Sequence, residues 1–266
     1  MFSINKLLGL PELSSVHGAM VDHMLEIVHW FMLVLGVGWT IFFFYVLWRY
    51  RQRRNPDANY KGVQSHMSTH AEVMVVVVEV VLLLGFAFPL WANRSEGFPV
   101  GPEVVRVRAV GEQFLWTFHY PGPDAVFGRV DPRLYSPTNP AGIDGDDPNG
   151  KDDFYVQGRL RMPVDRPIIV QVTSKDVIHG LALGPMRIQQ DAIPGQEVPM
   201  WFTPNRISEG DIICAQLCGA GHATMYASFE VMSDEDYENW VASRAPAPES
   251  DAGDGLADAA EPVAAR

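Results

Sequence analysis

Cys214-Ala-Gln-Leu-Cys218-Gly-Ala-Gly-His222-Ala-Thr-Met225 holds the only two cysteines in a chain of 266 residues. Two thiols, an imidazole and a thioether fall within twelve positions, and His179 lies upstream in Asp176-Val-Ile-His179-Gly. Thiolate and thioether are soft donors, and imidazole suits copper well. Zinc makes little use of methionine, so the set favours copper over zinc. A one-thiolate copper site would account for only one of the cysteines. Two thiolates held close together can instead bridge two coppers, with one histidine on each metal. A disulfide is the ordinary alternative for two cysteines in an extracytoplasmic domain. A chain of this length can fold without that staple, which weakens the alternative. A structural zinc site would leave Met225 without a role. His222 alone reads equally as a core histidine, and it gains weight from lying four residues after Cys218.

The segment resembles the binuclear copper (CuA) loop of subunit II of the haem–copper oxygen reductases, the cytochrome c oxidases. The wider segment from Asp191-Ala-Ile-Pro-Gly195 through Gly210-Asp-Ile-Ile-Cys214 resembles that family too. With the two apolar spans described next, the resemblance covers roughly residues 20–240. It implies that Cys214 and Cys218 bridge the two coppers. It implies His179 and His222 as terminal ligands, Met225 as a weaker one, and the backbone carbonyl of Gln216 as the last donor. It also implies an all-β cupredoxin-like Greek-key sandwich. There the ligand loop joins two strands at one end, and the distant His179 arrives from an earlier strand end.

Two stretches, about residues 25–48 and 72–91, read as transmembrane helices. At a rise of about 1.5 Å per residue, each crosses a hydrocarbon core of about 30 Å. Arg49, Arg51, Arg53, Arg54 and Lys61 stand against a single Asp57 between them. The positive-inside rule therefore puts the loop 49–70 in the cytoplasm and both termini outside. Trp30, Trp48 and Trp91 sit near the expected interfaces, as aromatic anchors do. Residues 1–20 carry one lysine and a short apolar run broken by Pro11, a poor match to a cleavable signal. Residues 1–22 thus read as an external arm and 23–95 as the hairpin. The expected location is the cell inner (plasma) membrane, multi-pass, with the large C-terminal domain periplasmic.

Acids inside a span are functional candidates. Glu79 lies about two turns into the second span, and Glu72 at its cytoplasmic edge beside His70. The resemblance implies that an acid near this edge helps admit protons to the catalytic subunit; an interhelical hydrogen bond is the competing role. His29 and His70 lie near opposite ends of the hairpin, so they do not clamp one haem iron. A hydrogen bond to a neighbouring subunit is the expectation for His29.

From about Val100 the pattern changes. Residues 103–110, 112–120, 167–173, 198–202 and 225–232 read as short strands punctuated by Pro and Gly, which points to a sandwich or barrel. Residues 131–158 are turn-rich, and their acids miss the EF-hand spacing. The domain reading is 96–243 for the periplasmic copper domain and 244–266 for a disordered acidic tail. No Cys-x-x-Cys-His occurs, so no attached c-type haem is expected. A net charge of −12 argues against nucleic acid and suits a basic protein partner.

By the resemblance, the chain is the electron-entry subunit of a proton-pumping terminal oxidase. Cytochrome c, or a tethered c-type donor, reduces the copper pair. Electrons then pass to haem in the catalytic subunit I, which reduces oxygen within a complex of further oxidase subunits. This chain relays electrons and contributes no catalytic residue. Three positions depart from the common family pattern. Many members carry an acid where Gln216 stands, and that side chain also reaches an interfacial magnesium ion; neutral Gln216 counts against magnesium here. Phe114 stands where an exposed tryptophan admits electrons, with Trp116 following. Lys175 stands where an acid is common, which favours a dedicated or tethered donor over a strongly basic soluble cytochrome. Two other readings remain at this point: the CuA subunit of a nitric oxide reductase, which would differ in its partner, and a copper-binding or copper-delivery membrane protein, a class that tends to expose its ligands.

Overall fold

A computed structural model describes residues 4–57, 60–62, 64–95 and 97–244. The disordered tail expected over 244–266 falls, after Arg244, outside the described residues. The chain divides into two units, one of residues 1–10 and 20–97, the other of residues 11–19 and 98 onward.

The first unit is helical. A single turn α1 (Ile4–Leu7) precedes the long helix α2 (Gly18–Arg49), and Asn5 Nδ2 donates to the Asp22 carbonyl at 3.1 Å. The helix starts well before residue 25 because nothing after Gly18 breaks it until the apolar run is under way. Helix α3 (Met67–Leu82) runs through a wide π turn at Leu83–Ala87 into α4 (Phe88–Ser95). Pro89 supplies the reason: its ring would press on the carbonyl of the preceding turn, and a widened turn makes room. The most apolar 18-residue windows of the helical stretches Gly18–Arg49 and Met67–Ser95 have mean hydropathies of 2.1 and 2.7, and none of either window is buried. Phe42, Phe43, Phe44, Val76, Val77 and Leu84 all face outward. An apolar environment such as lipid is the physical answer to side chains of this kind on helices of this length. Within α2, His29 Nδ1 lies 2.7 Å from the Leu25 carbonyl of its own helix.

The second unit is a sandwich of two five-stranded sheets. One orders its strands as β3 (Phe154–Gln157), β2 (Leu115–Tyr120), β1 (Val105–Glu112), β5 (Ile168–Ser174), β8 (Val198–Phe202). The other runs β4 (Arg159–Pro163), β10 (Tyr226–Met232), β9 (Ser208–Cys214), β6 (His179–Leu183), β7 (Ile188–Ala192). Pairs β1–β5 and β4–β10 are parallel and the rest antiparallel. Val107, Ala109, Val170, Val172, Leu160, Met162, Leu181, Phe202, Ile212 and Phe229 interdigitate between the sheets and are buried. Each large side chain of this kind contributes about 1.5–3 kcal/mol on burial. Residues 11–19, expected as part of an external arm, are bonded into this unit. Ser14 N–H donates to the Pro185 carbonyl at 2.8 Å, Val16 N–H to Thr203 at 3.0 Å, and Ser15 Oγ to Met186 at 2.8 Å.

Five strands escape the sequence pattern. They are β3, which falls inside the turn-rich stretch 131–158, the five-residue strands β4, β6 and β7, and β9. Strand β2 is buried on both faces, because residues 121–153 fold over its outer side. There His119 Nε2 and Asp153 Oδ2 lie 2.6 Å apart with both side chains fully buried, and Phe127 packs edge-on against the imidazole. Helix α5 (Asp234–Arg244) closes the unit, with Trp240 packed on Tyr120 and Phe154. Its first-turn acids Asp234, Glu235 and Asp236 suit the positive helix end, and Ser233 Oγ accepts from Asp236 N–H at 3.1 Å.

The buried imidazole gives a pH prediction. Burial lowers the His119 pKa, outweighing the bond to Asp153. The unfolded chain takes a proton near pH 6.5 while the folded chain resists it. The stability tied to His119 is therefore present above about pH 6.5 and lost as pH falls below it. Unfolding midpoints measured from pH 8 to pH 5 should fall more steeply in wild type than in His119→Gln; parallel curves would refute the assignment.

Candidate metal centre

Pairing of β6 with β9 sets Leu181 opposite Cys214, which brings the start of β6 beside the end of β9. His179 and Cys214 are thereby neighbours although 35 positions apart. After Cys214 the chain leaves the sheet, loops through Cys218 and makes a 3-10 turn at His222–Thr224 before β10. The Cys214 N–H donates to the Met225 carbonyl at 3.2 Å, which closes the base of the loop.

The residues expected as donors lie together around this loop, with His179 reaching it from the start of β6. Cys214 Sγ lies 4.0 Å from His179 Nδ1 and 3.1 Å from the Gln216 carbonyl oxygen. Cys218 Sγ lies 3.6 Å from His222 Nδ1 and 3.7 Å from Met225 Sδ. The two sulfurs are 3.8 Å apart, far beyond the roughly 2.05 Å of a disulfide, and both cysteines are free. Each cysteine thus has its own histidine and its own weaker donor. The ligating atoms of His179, Cys214 and Cys218 lie within 4.8 Å of one another, all three residues buried. Met225 is buried as well, His222 is half-buried, and Gln216 is exposed although its carbonyl turns inward. A buried pocket of thiols, imidazoles, thioether and carbonyl fits copper. Burial and the neighbouring Cys214 thiol push the Cys218 thiol up to about 11. A metal entering here must displace protons.

The surroundings fix the imidazole. His179 is fully buried, and its Nε2 lies 2.8 Å from Asp176 Oδ1, which leaves Nδ1 toward Cys214. Burial opposes the Asp176 carboxylate, but the amide of Gln113, the His179 ring and the amide of Val177 outweigh it and hold its pKa below the usual range. Trp116 meets the His179 ring edge-on at 5.9 Å between centroids. Gly111 faces the same ring, and a Cβ there would stand 2.9 Å from His179 Cδ2, so only glycine leaves the imidazole its place. Asp176 was legible only as a neighbour of His179, and its spacing of three residues before a strand-opening histidine was the available signal. Asp176→Asn should lower copper affinity about tenfold, the low end for loss of an outer partner of a metal ligand. Chelator competition would check it, and an unchanged affinity would remove Asp176 from the site.

Residues 105–232 match the family model described as cytochrome c oxidase subunit II, periplasmic domain. The chain is 30% identical over 222 residues to the alternative cytochrome c oxidase subunit 2 of Bradyrhizobium diazoefficiens, covering 83% of this chain and 79% of that relative. The chain belongs to the cytochrome c oxidase subunit II family. It is also 29% identical to the cytochrome c oxidase subunit 2 of Cereibacter sphaeroides over 242 residues, with 80% and 75% of the two chains covered. Among solved structures, the periplasmic domain of subunit II of cytochrome oxidase (CoxB) of Bradyrhizobium japonicum aligns with 27% identity and a TM-score of 0.41, covering 56% of this chain and 96% of that one.

As a subunit II, the chain is part of an oxidoreductase complex, and two of its unusual positions have a structural account. Phe114 keeps 37% of its surface exposed, whereas Trp116 is fully buried, so the two aromatics are not interchangeable. Lys175 does not stand free in solvent. Its Nζ lies 2.9 Å from Glu112 Oε2 and 4.8 Å from the Tyr135 ring centroid, with only 12% of the side chain exposed.

Proposed function

We propose that this subunit II takes single electrons from a c-type cytochrome and passes them to haem in a catalytic partner subunit that reduces oxygen. In this reading His179, Cys214, the Gln216 carbonyl, Cys218, His222 and Met225 hold a two-copper centre. One observation carries it: two unbonded buried sulfurs 3.8 Å apart, each with a separate imidazole at hand. Copper supplies the one-electron couple. The chain's own residues would supply the rest: Cys214 and Cys218, once deprotonated, would carry the negative charge, His179 and His222 would be the terminal donors, and the sandwich would hold the ligand loop in one geometry. The hairpin anchors the unit in the membrane with the loop 49–70 on the cytoplasmic side, and residues 98–244 on the opposite side, where a donor cytochrome arrives. Position 175 lacks the acid that would draw a strongly basic cytochrome, and Lys175 and Glu112 cancel one another there, so the donor in this reading is a dedicated or tethered cytochrome. Neutral Gln216 does not replace an acid as a magnesium ligand.

The assembled membrane complex, mixed with its reduced c-type cytochrome, tests the assignment. Electron uptake should appear first in the bands of this subunit and then in the haems. Haem reduction at an undiminished rate in a complex carrying both Cys214→Ser and Cys218→Ser would contradict it.

A further inference from the structure

The turn between β1 and β2 touches the centre from a side that contributes no donor. Gln113 sits at that turn and is exposed, yet it bonds inward twice. Its backbone N–H donates to Asp176 Oδ2 at 2.7 Å, and the other oxygen of that carboxylate lies 2.8 Å from His179 Nε2. Its side-chain Nε2 donates to the Cys218 carbonyl at 2.6 Å. One residue therefore reaches both halves of the donor set, the strand that brings His179 and the loop that brings the cysteines.

The loop is shaped to receive this contact. Gly219 adopts a φ of +140°, and a Cβ there would lie 2.7 Å from Gln113 Nε2. A Cβ on Gly221 would lie 2.7 Å from Phe114 Cγ. Gly219 and Gly221 are thus bare where Gln113 and Phe114 lie on them. Glycines leave a backbone soft unless something outside holds it. The Gly219 carbonyl accepts from His222 N–H at 3.1 Å, so the segment that Gln113 grips leads directly into the turn that aims His222 at Cys218. The Asp176 carboxylate, held by the same residue, fixes the His179 ring.

We infer that Gln113 is a positioning residue of the metal centre, clamping the Cys218 carbonyl and the Asp176 carboxylate together so that both imidazoles stay aimed at their sulfurs. This rests on the reading that the six donors hold copper. The side-chain amide of an exposed turn residue has little to do for the sandwich core, so its loss should be felt at the metal and not in folding.

The test uses the full chain purified in detergent and loaded with copper. Gln113→Leu keeps the bulk and the backbone N–H but removes the side-chain donor, and Gln113→Lys returns a donor. Copper loss to excess chelator should be about tenfold faster in Gln113→Leu, with shifted visible bands. Its metal-free unfolding midpoint should match wild type, and Gln113→Lys should recover most of the retention. Wild-type copper loss and spectrum in Gln113→Leu would overturn the inference. So would a metal-free destabilisation large enough to account for the copper loss. A wild-type chain that takes up no copper would overturn the ligand assignment itself, and this inference with it.

Discussion

Cys214→Ser and Cys218→Ser are each expected to empty the whole centre, not half of it. Cys214 is grouped with His179 and the Gln216 carbonyl, and Cys218 with His222 and Met225. Were these two independent sites, losing one cysteine would leave the other copper in place. In the proposed centre the sulfurs, 3.8 Å apart, would serve both metals, so losing either would remove a donor from both. Serine is a hard, weakly acidic oxygen donor and a poor substitute for a thiolate toward copper. The effect on electron delivery should exceed the 10–100-fold loss typical of an outer partner, so about 100-fold or more is expected. Copper content and cytochrome oxidation by the purified complex measure it. A serine variant that keeps one copper per chain with ordinary spectroscopic parameters would favour separate sites.

The second large effect is on stability. Trp116 is fully buried in the sandwich and edge-on to His179, and Gly111 lies so close that a Cβ there would be 3.1 Å from the indole. Trp116→Ala removes the largest side chain of that layer, and the surrounding sheets cannot collapse onto the space. The expected cost is about 3–5 kcal/mol, the range for deleting a buried aromatic. His179 also loses its edge contact, so copper retention should fall in parallel. Denaturant unfolding of the metal-free chain in detergent measures the first effect. A loss below about 1 kcal/mol, the scale of an average substitution, would show that the indole is not part of the packed core. Phe114→Ala, at a position 37% exposed, serves as the contrast and should cost far less.

How legible all this was in the sequence depends on what kind of signal each part leaves. Cys214, Cys218, His222 and Met225 stood out because thiols, imidazole and thioether at such close spacing share one chemistry, the binding of a soft metal, whereas the parts of the distant His179 and of the Gln216 carbonyl came from the family resemblance. The helices were readable from apolar length, although α2 begins earlier than the hydropathy suggests, since helix continues until something breaks it. Strand β2 hid its alternation because the 121–153 segment buries its outer face, including Thr117 and His119. Helix α5 lies at the end of the expected copper domain, where no helix was read; Asp234, Glu235 and Asp236 are its first turn, with Tyr237, Trp240 and Val241 spaced to pack inward. Gln113 left no signal at all. Its role depends on a hairpin turn meeting a loop 105 residues later, a contact set by tertiary packing and by no local pattern.

Electron paramagnetic resonance of the oxidised protein tests the central claim most directly. An electron shared across two sulfur-bridged coppers gives a hyperfine pattern from two equivalent copper nuclei, with two coppers counted per chain, and that is the expected result. A pattern from a single copper nucleus would contradict the account, as would a metal-free protein whose Cys214 and Cys218 have closed into a disulfide.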